Sequence, residues 1–311
     1  MDTATVLSTL RERDVRLWLE EDRLKCSAPM GALDPEMRAT LASQKKEILA
    51  FLREAQPKRG SAAIVPIKLE GSRPPIFAVS GHGGDVFRLI ALARHLDAEQ
   101  PMFGVQPPGL DGSEPLASVE ALAHYEIEQI RSYQSRGPYR IAGHCAGGTI
   151  AFEVAQQLIA SGQQVALLAL IGSPFPTMFR QAPQMLLPRL VRHYRGLTSG
   201  SLADRQRYIT NKLQQRRDHR AAQAGVAPTV IAARQRVENA TLAAIHTYRL
   251  RRYPGEVDLF VTADDWHGSH QWHAFIGTLR EHNFKQLEID EFLLEPHAAL
   301  LAAVLQDRVG P

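Results

Sequence analysis

The 311-residue chain predicts a mostly parallel α/β protein preceded by a small α+β unit. Three observations carry this. From about residue 74 onward, short apolar runs alternate with helix-period segments, the pattern of strands buried beneath helices on both faces. Residues 1–55 form a separate run of short elements, closed by Gln56-Pro57-Lys58-Arg59-Gly60-Ser61, a linker by composition. As a third sign, within the larger unit, Gly143-His144-Cys145-Ala146-Gly147 falls after an apolar strand-like stretch and before a helical run. Strand, glycine turn, helix is the setting that presents a nucleophile at a sharp bend.

In order, Val6, Leu7 and Leu10 mark one face of a short helix. Val15 to Leu19 alternates like a strand, 20–23 turns, and Leu24-Lys25-Cys26 continues as a second strand. Asp34-Pro35 predicts an N-cap followed by proline at the first helical position, with a helix through Met37, Leu41, Ile48 and Leu52 broken near Ser43. Beyond the linker (56–73), strands are expected at Ile76–Val79, Met102–Val105, Tyr139–Ala142, Val165–Ile171, Val257–Val261 and Lys285–Ile289. Helices are expected at Phe87–Leu96, Val119–Tyr133, after the glycine turn, and at Pro296–Leu305. Residues 177–253 turn helical and basic, an insertion that would sit over a pocket.

Bulk properties exclude several classes. The formal charge of +3 is too near neutral for a nucleic-acid binder. No apolar run is long enough to span a membrane, and Met1-Asp2-Thr3 opens no signal-peptide pattern. Cys26 and Cys145, the two cysteines, lie in different units, which argues against a disulfide framework and leads us to expect a reducing cytoplasm. His267, His270 and His273 are closely spaced but lack a second ligand cluster, so no metal site is expected.

Cys145 is the candidate nucleophile. At a helix N-terminus, free N–H groups and the helix dipole favour a thiolate first and an oxyanion later. The alternative is a small buried cysteine in a glycine-rich turn.

Residues 1–55 resemble the TubC-type N-terminal docking domains of nonribosomal peptide and polyketide synthetases. The matching residues are Arg16-Leu17-Trp18-Leu19-Glu20, Asp22-Arg23-Leu24, Ala28-Pro29, Gly31-Ala32-Leu33 and Lys46 to Leu52. The resemblance implies that an exposed β-hairpin takes up the C-terminal tail of an upstream synthetase by strand addition. Arg16, Arg23 and Lys25, on or beside that hairpin, are candidates to meet acidic residues of the tail; otherwise they form a solvated face.

Residues 74–311 resemble the thioesterase domains of such synthetases, within the α/β-hydrolase superfamily, so the fold expected is an α/β-hydrolase with a helical lid at 177–253. The resemblance rests on Phe77 to Gly84, Gln106-Pro107-Pro108-Gly109-Leu110-Asp111-Gly112, Gly137 to Gly148, Tyr253 to Phe260 and Glu295-Pro296-His297. It implies oxyanion N–H donors from Ala146 and from His82 or Gly83. It also implies a substrate presented as a thioester on the phosphopantetheine of a carrier domain, with no cofactor of the enzyme's own.

The acid and base positions depart from the family. Gly172 stands where an aspartate is usual, and Glu291, in Ile289-Asp290-Glu291-Phe292, where the histidine is usual. The substitutes are Asp264 or Asp265 as acid and His297 as base. His82 and His144 flank the pocket. Cysteine is already partly thiolate, so it needs a strong base less than serine does. That favours transfer of the acyl group to an amine, an internal nucleophile or another thiol. The alternatives are hydrolysis to the free acid and a catalytically degenerate docking scaffold.

Overall fold

The computed structural model describes residues 6, 10, 15–20, 23–27, 33–55, 63–180, 228–262, 266–284 and 293–309. Of the N-terminal unit, β1 (Arg16–Glu20) and β2 (Arg23–Ser27) form an antiparallel hairpin with Leu17 opposite Cys26. Neither strand pairs with any other described strand, so each keeps one open edge. Helix α1 (Pro35–Ser43) starts where the sequence places it: Asp34 Oδ1 accepts the Met37 N–H at 2.7 Å and Pro35 occupies the first turn. It ends at Gln44, beside a Ser43 hydroxyl that donates back to the Thr40 carbonyl, and α2 (Lys45–Ala55) follows. Val6, Leu10, Val15, Met37 and Ile48 are buried, with Leu17, Leu24, Leu33 and Leu41 packed against the same apolar cluster. Leu7 and the side chains of Arg16, Arg23 and Lys25 lie outside the described residues.

The larger unit is built on a seven-stranded sheet. Its members are β3 (Ile64–Lys68), β4 (Ile76–Val79), β5 (Met102–Val105), β6 (Tyr139–His144), β7 (Val165–Ile171), β8 (Tyr253–Val261) and β9 (Ile276–Asn283). Their spatial order is β3-β5-β4-β6-β7-β8-β9, all parallel except β3, which runs antiparallel to β5. Two differences from expectation stand out. Part of the 56–73 linker is structural: residues 64–68 are an edge strand whose Val65 and Ile67 are buried. The described edge strand after β8 is 276–283, whereas the expected strand at 285–289 lies outside the described residues. Only Ile276 of β9 is buried, so its sequence carries no apolar alternation to read.

Residues of the central strands alternate between two cores, as the two-residue period requires. Ala78, Ala142, Ala169 and Phe260 face one layer, with α3 (Ile90–His95) and α8 (His297–Val309). Phe77, Val79, Ile141, Leu168 and Leu259 face the other, with α4 (Val119–Tyr133) and α5 (Gly147–Ala160). At the lid, α6 (Thr177–Arg180) and α7 (Pro228–Thr247) are described, whereas 181–227 fall outside. Just past the end of α7, the Tyr248 hydroxyl donates to Glu153 Oε2 at 2.6 Å and Arg251 reaches Glu153 Oε1 at 3.0 Å. Glu153, on α5, is itself fully buried, so this anchor is a desolvated, charge-assisted contact. Among the described residues, no helix is long and apolar enough to cross a membrane.

Candidate active site

Parallel strands of this kind present ligands at their carboxyl ends, and β6 ends at the glycine turn. Cys145 there has φ +54°, the only described non-glycine residue in the left-handed region. Holding a side chain in that region costs on the order of 1–2 kcal/mol, and strained positions of this kind cluster at functional sites. The bend is enforced by close packing. A Cβ on Gly143 would lie 2.5 Å from the Gly147 carbonyl oxygen, and one on Gly147 would lie 2.2 Å from that of Ser80. The Cys145 N–H donates to the Ile171 carbonyl at 3.0 Å, tying the bend to the end of β7.

Ala146 is the N-cap of α5 and makes no side-chain capping bond. Of the first-turn N–H groups, those of Gly148 and Thr149 close onto the Cys145 and Ala146 carbonyls at 3.0 and 3.2 Å, whereas the N–H of Ala146, at the cap, stands ahead of that ladder at the helix N-terminus. Oxyanion-hole geometry needs this, and an anion there also gains from the dipole. A second donor source lies alongside. The loop after β4 turns back through a Gly84 N–H to Gly81 carbonyl bond of 3.0 Å, with Gly84 at φ +71°. A Cβ on Gly81 would be 3.9 Å from Cys145 Cβ, so the loop bearing His82 and Gly83 borders Cys145 directly. The structure therefore brings Cys145, Ala146, His82 and Gly83 together.

Histidines flank this point with different characters. The ring of His144 is enclosed, although the residue as a whole keeps some exposure. Burial pushes its pKa down to about 3, with Arg88 and His82 acting in the same direction against Asp85. It is neutral at working pH and brings no charge to the Cys145 sulfur. Among the described residues His82 Nδ1 is buried without a hydrogen-bond partner, whereas its Nε2 lies 3.2 Å from Glu238 Oε1 on α7. Nothing in the local sequence pairs residues 82 and 238; the contact exists only because the lid helix crosses the loop.

The acid–base side looks different. Gly172, at φ +51°, ends β7 with its N–H on the Phe260 carbonyl at 2.9 Å, and offers no carboxylate. Next to it, Ser173 is fully buried; its Oγ donates toward the Gly143 and Ile171 carbonyls and would sit 1.9 Å from a Cβ on Gly148. His297 is the first residue of α8, beyond Glu295, whose carboxylate lies 2.7 Å from His95 Nε2 and 3.9 Å from Arg94. Asp264, Asp265, Asp290 and Glu291 lie outside the described residues. His270 and His273 fall on a 3-10 segment, Trp266–Ala274, and the His267 side chain is not described. Among the described residues, no three His, Cys, Asp or Glu side chains group closely enough to hold a metal ion.

With the geometry in place, comparison with known proteins gives the class. Residues 74–291 match the Thioesterase domain family model, and residues 4–54 match the TubC N-terminal docking domain. The chain belongs to the thioesterase domain family, with a docking domain ahead of it. It is 44% identical over 113 residues to malpibaldin synthetase of Mortierella alpina, covering 36% of this chain and 2% of that protein. With indigoidine synthase of Dickeya dadantii (strain 3937) it shares 37% identity over 151 residues, 48% of this chain and 10% of that protein. The chain thus spans a small fraction of these synthetases. Among solved structures, it resembles the thioesterase domain from the nocardicin cluster, NocB (TM-score 0.58, 20% identity, covering 81% of this chain and 100% of that one). It also resembles the Vlm2 thioesterase domain (TM-score 0.56, 20% identity, 81% and 99%). These structures support the α/β-hydrolase-type fold.

Proposed function

We propose that this chain takes a carrier-bound acyl or peptidyl thioester onto Cys145 and passes it to an amine, an internal nucleophile or a second thiol in preference to water. One observation carries the reading: Cys145 is held at φ +54° before the uncapped first turn of α5, with the His82–Gly83 loop beside it. In the first step the Cys145 thiolate attacks the thioester carbonyl. A carbon–sulfur bond to Cys145 forms, the bond to the phosphopantetheine sulfur breaks, and that sulfur leaves as a thiolate that takes a proton from solvent. One thioester replaces another, so the acyl group stays activated. The N–H of Ala146 and one from His82 or Gly83 hold the oxyanion, each worth roughly 3 kcal/mol of barrier.

In the second step a neutral amine attacks, a carbon–nitrogen bond forms, Cys145 leaves as thiolate, and the amine's extra proton goes to solvent. Water is a weaker nucleophile and needs a positioned base. Gly172 supplies no carboxylate for one, and His297 with Asp264 are the residues that would have to serve. The partner is an upstream synthetase whose C-terminal tail adds to an open edge of the β1–β2 hairpin, met by Arg16, Arg23 and Lys25, and whose carrier domain then delivers the substrate.

The test loads a carrier domain with an acyl group and follows the mass of the intact protein. Acyl-Cys145 should accumulate in buffer and discharge on addition of amine or thiol. Rapid release of free acid regardless of either would overturn the acceptor preference, and no mass gain at Cys145 would overturn the nucleophile. Unchanged pathway output from Cys145→Ala would favour a docking scaffold.

A further inference from the structure

We infer that Glu238, on the lid helix α7, is a positioning residue for the oxyanion loop, acting through the ring of His82. The inference rests on the covalent role proposed for Cys145. The His82 imidazole is held at one end: Nε2 lies 3.2 Å from the Glu238 carboxylate, while Nδ1 is buried with no hydrogen-bond partner among the described residues. A carboxylate on one ring nitrogen sets the orientation of the whole ring. Because the ring is tethered to the backbone that carries the candidate oxyanion N–H groups, holding the ring limits how far that backbone can move. Gly84 is held from outside, its carbonyl accepting from Gln106 Nε2 at 3.3 Å and its α-carbon packed on Leu110, so Gly83 is the loose point of the loop. A Cβ on Gly83 would meet nothing within 4 Å.

Glu238 is held in place by the rest of α7. Val237, one residue earlier, is buried, with its Cγ2 3.0 Å from where a Cβ on Gly109 would be. Arg236 donates to the Gly112 carbonyl at 3.4 Å. At the far end, the Tyr248–Glu153 anchor ties the lid to α5, the helix that begins at the nucleophile. The two attachments differ in kind. Glu153 is 1% exposed, whereas Glu238 and His82 are 35% and 40% exposed. A solvent-accessible pair of that kind adds little to global stability. Its consequence is geometric: when α7 seats, the loop is oriented, and when α7 lifts, the loop is released. Lid position and oxyanion stabilisation are thereby one variable.

The experiment compares two reactions of Cys145 in the full chain. Acylation by a loaded carrier develops an oxyanion; alkylation by iodoacetamide, a displacement at a saturated carbon, does not. Glu238→Ala should slow single-turnover acylation roughly 10- to 100-fold, less than the roughly 10²- to 10³-fold cost of a donor removed outright. Alkylation rate and thermal midpoint should stay at the wild-type values. Glu238→Gln, which keeps an acceptor for the ring N–H, should recover most of the rate. In a His82→Ala background, Glu238→Ala should have no further effect, as a shared pathway requires. Arg236→Ala, which loosens α7 without touching His82, separates general lid mobility from loop positioning. Equal losses in Arg236→Ala and Glu238→Ala, slowed alkylation in Glu238→Ala, additive losses in the double variant, or unchanged acylation would each overturn the inference. Wild-type chain that alkylates at Cys145 but never acylates would instead sink the covalent reading on which it rests.

Discussion

Two strand ends, side by side in the sheet, both close with a residue in the left-handed region. At the end of β6 it is Cys145, φ +54°; at the end of β7 it is Gly172, φ +51°. Glycine adopts this conformation without steric penalty and presents nothing to the site. Cysteine adopts it against a penalty and presents a sulfur. The Cys145 side therefore keeps its strained geometry, its close glycine packing and a helix terminus without a side-chain cap. The neighbouring position, where the thioesterase pattern calls for a carboxylate, has relaxed to a residue with no side chain. On the role proposed for Cys145, the difference means that nucleophile presentation and proton transfer are separable. A thiolate tolerates the loss of the second as a hydroxyl would not.

The largest expected effect tests that separation at its source. Cys145→Ser keeps the bend but needs a base to remove the hydroxyl proton, so acyl-enzyme formation should fall by roughly 10²-fold or more. Serine that acylates at the cysteine rate would show that a competent base is present after all.

A second test concerns His144, whose folded pKa is pushed down to about 3 by its enclosure. The unfolded chain takes up a proton near pH 6.5 and the folded one does not. Stability from this group is therefore fully present above 6.5 and is lost as pH falls toward 3, on the order of 3 kcal/mol by pH 4. Denaturant titrations of His144→Asn should show a shallower decline across that window. Equal slopes for the variant and the wild type would mean that the ring is accessible to solvent protons.

The smallest effect is expected from Gly172→Asp. It restores a carboxylate but places it at φ +51°, at a cost of about 1–2 kcal/mol. Hydrolysis of an acyl-Cys145 thioester, followed by free-acid release, should change less than about threefold, because a lone carboxylate without a relayed histidine is a weak base at this task. A large gain would show that a histidine already waits within reach of position 172.

Much of this architecture was readable along the chain. Strands β4 to β8 are short, apolar and separated by helix-period segments, and Asp34-Pro35 caps α1 in the way that short-range hydrogen bonding dictates. The nucleophile bend was legible because its requirements are local: two glycines, one reactive side chain, a strand before and a helix after. Strand β3 was not, since a proline at position 66 and flanking linker composition hide a segment that pairs only with β5, far away in sequence. Strand β9 escaped for a related reason, as an edge strand buries one residue where a central one buries nearly all.

The amino-acid sequence by itself determined the class, the bend and the identity of the sulfur at its tip, because each depends on residues within a few positions of one another. Only the tertiary structure decided that Glu238 stands beside His82, that Glu153 anchors Tyr248, and that Ser173 packs beneath Gly148. Those pairings join residues 25 to 156 positions apart, and no periodicity reports them. Chain topology brings such groups together, and burial then sets how strongly each pair holds.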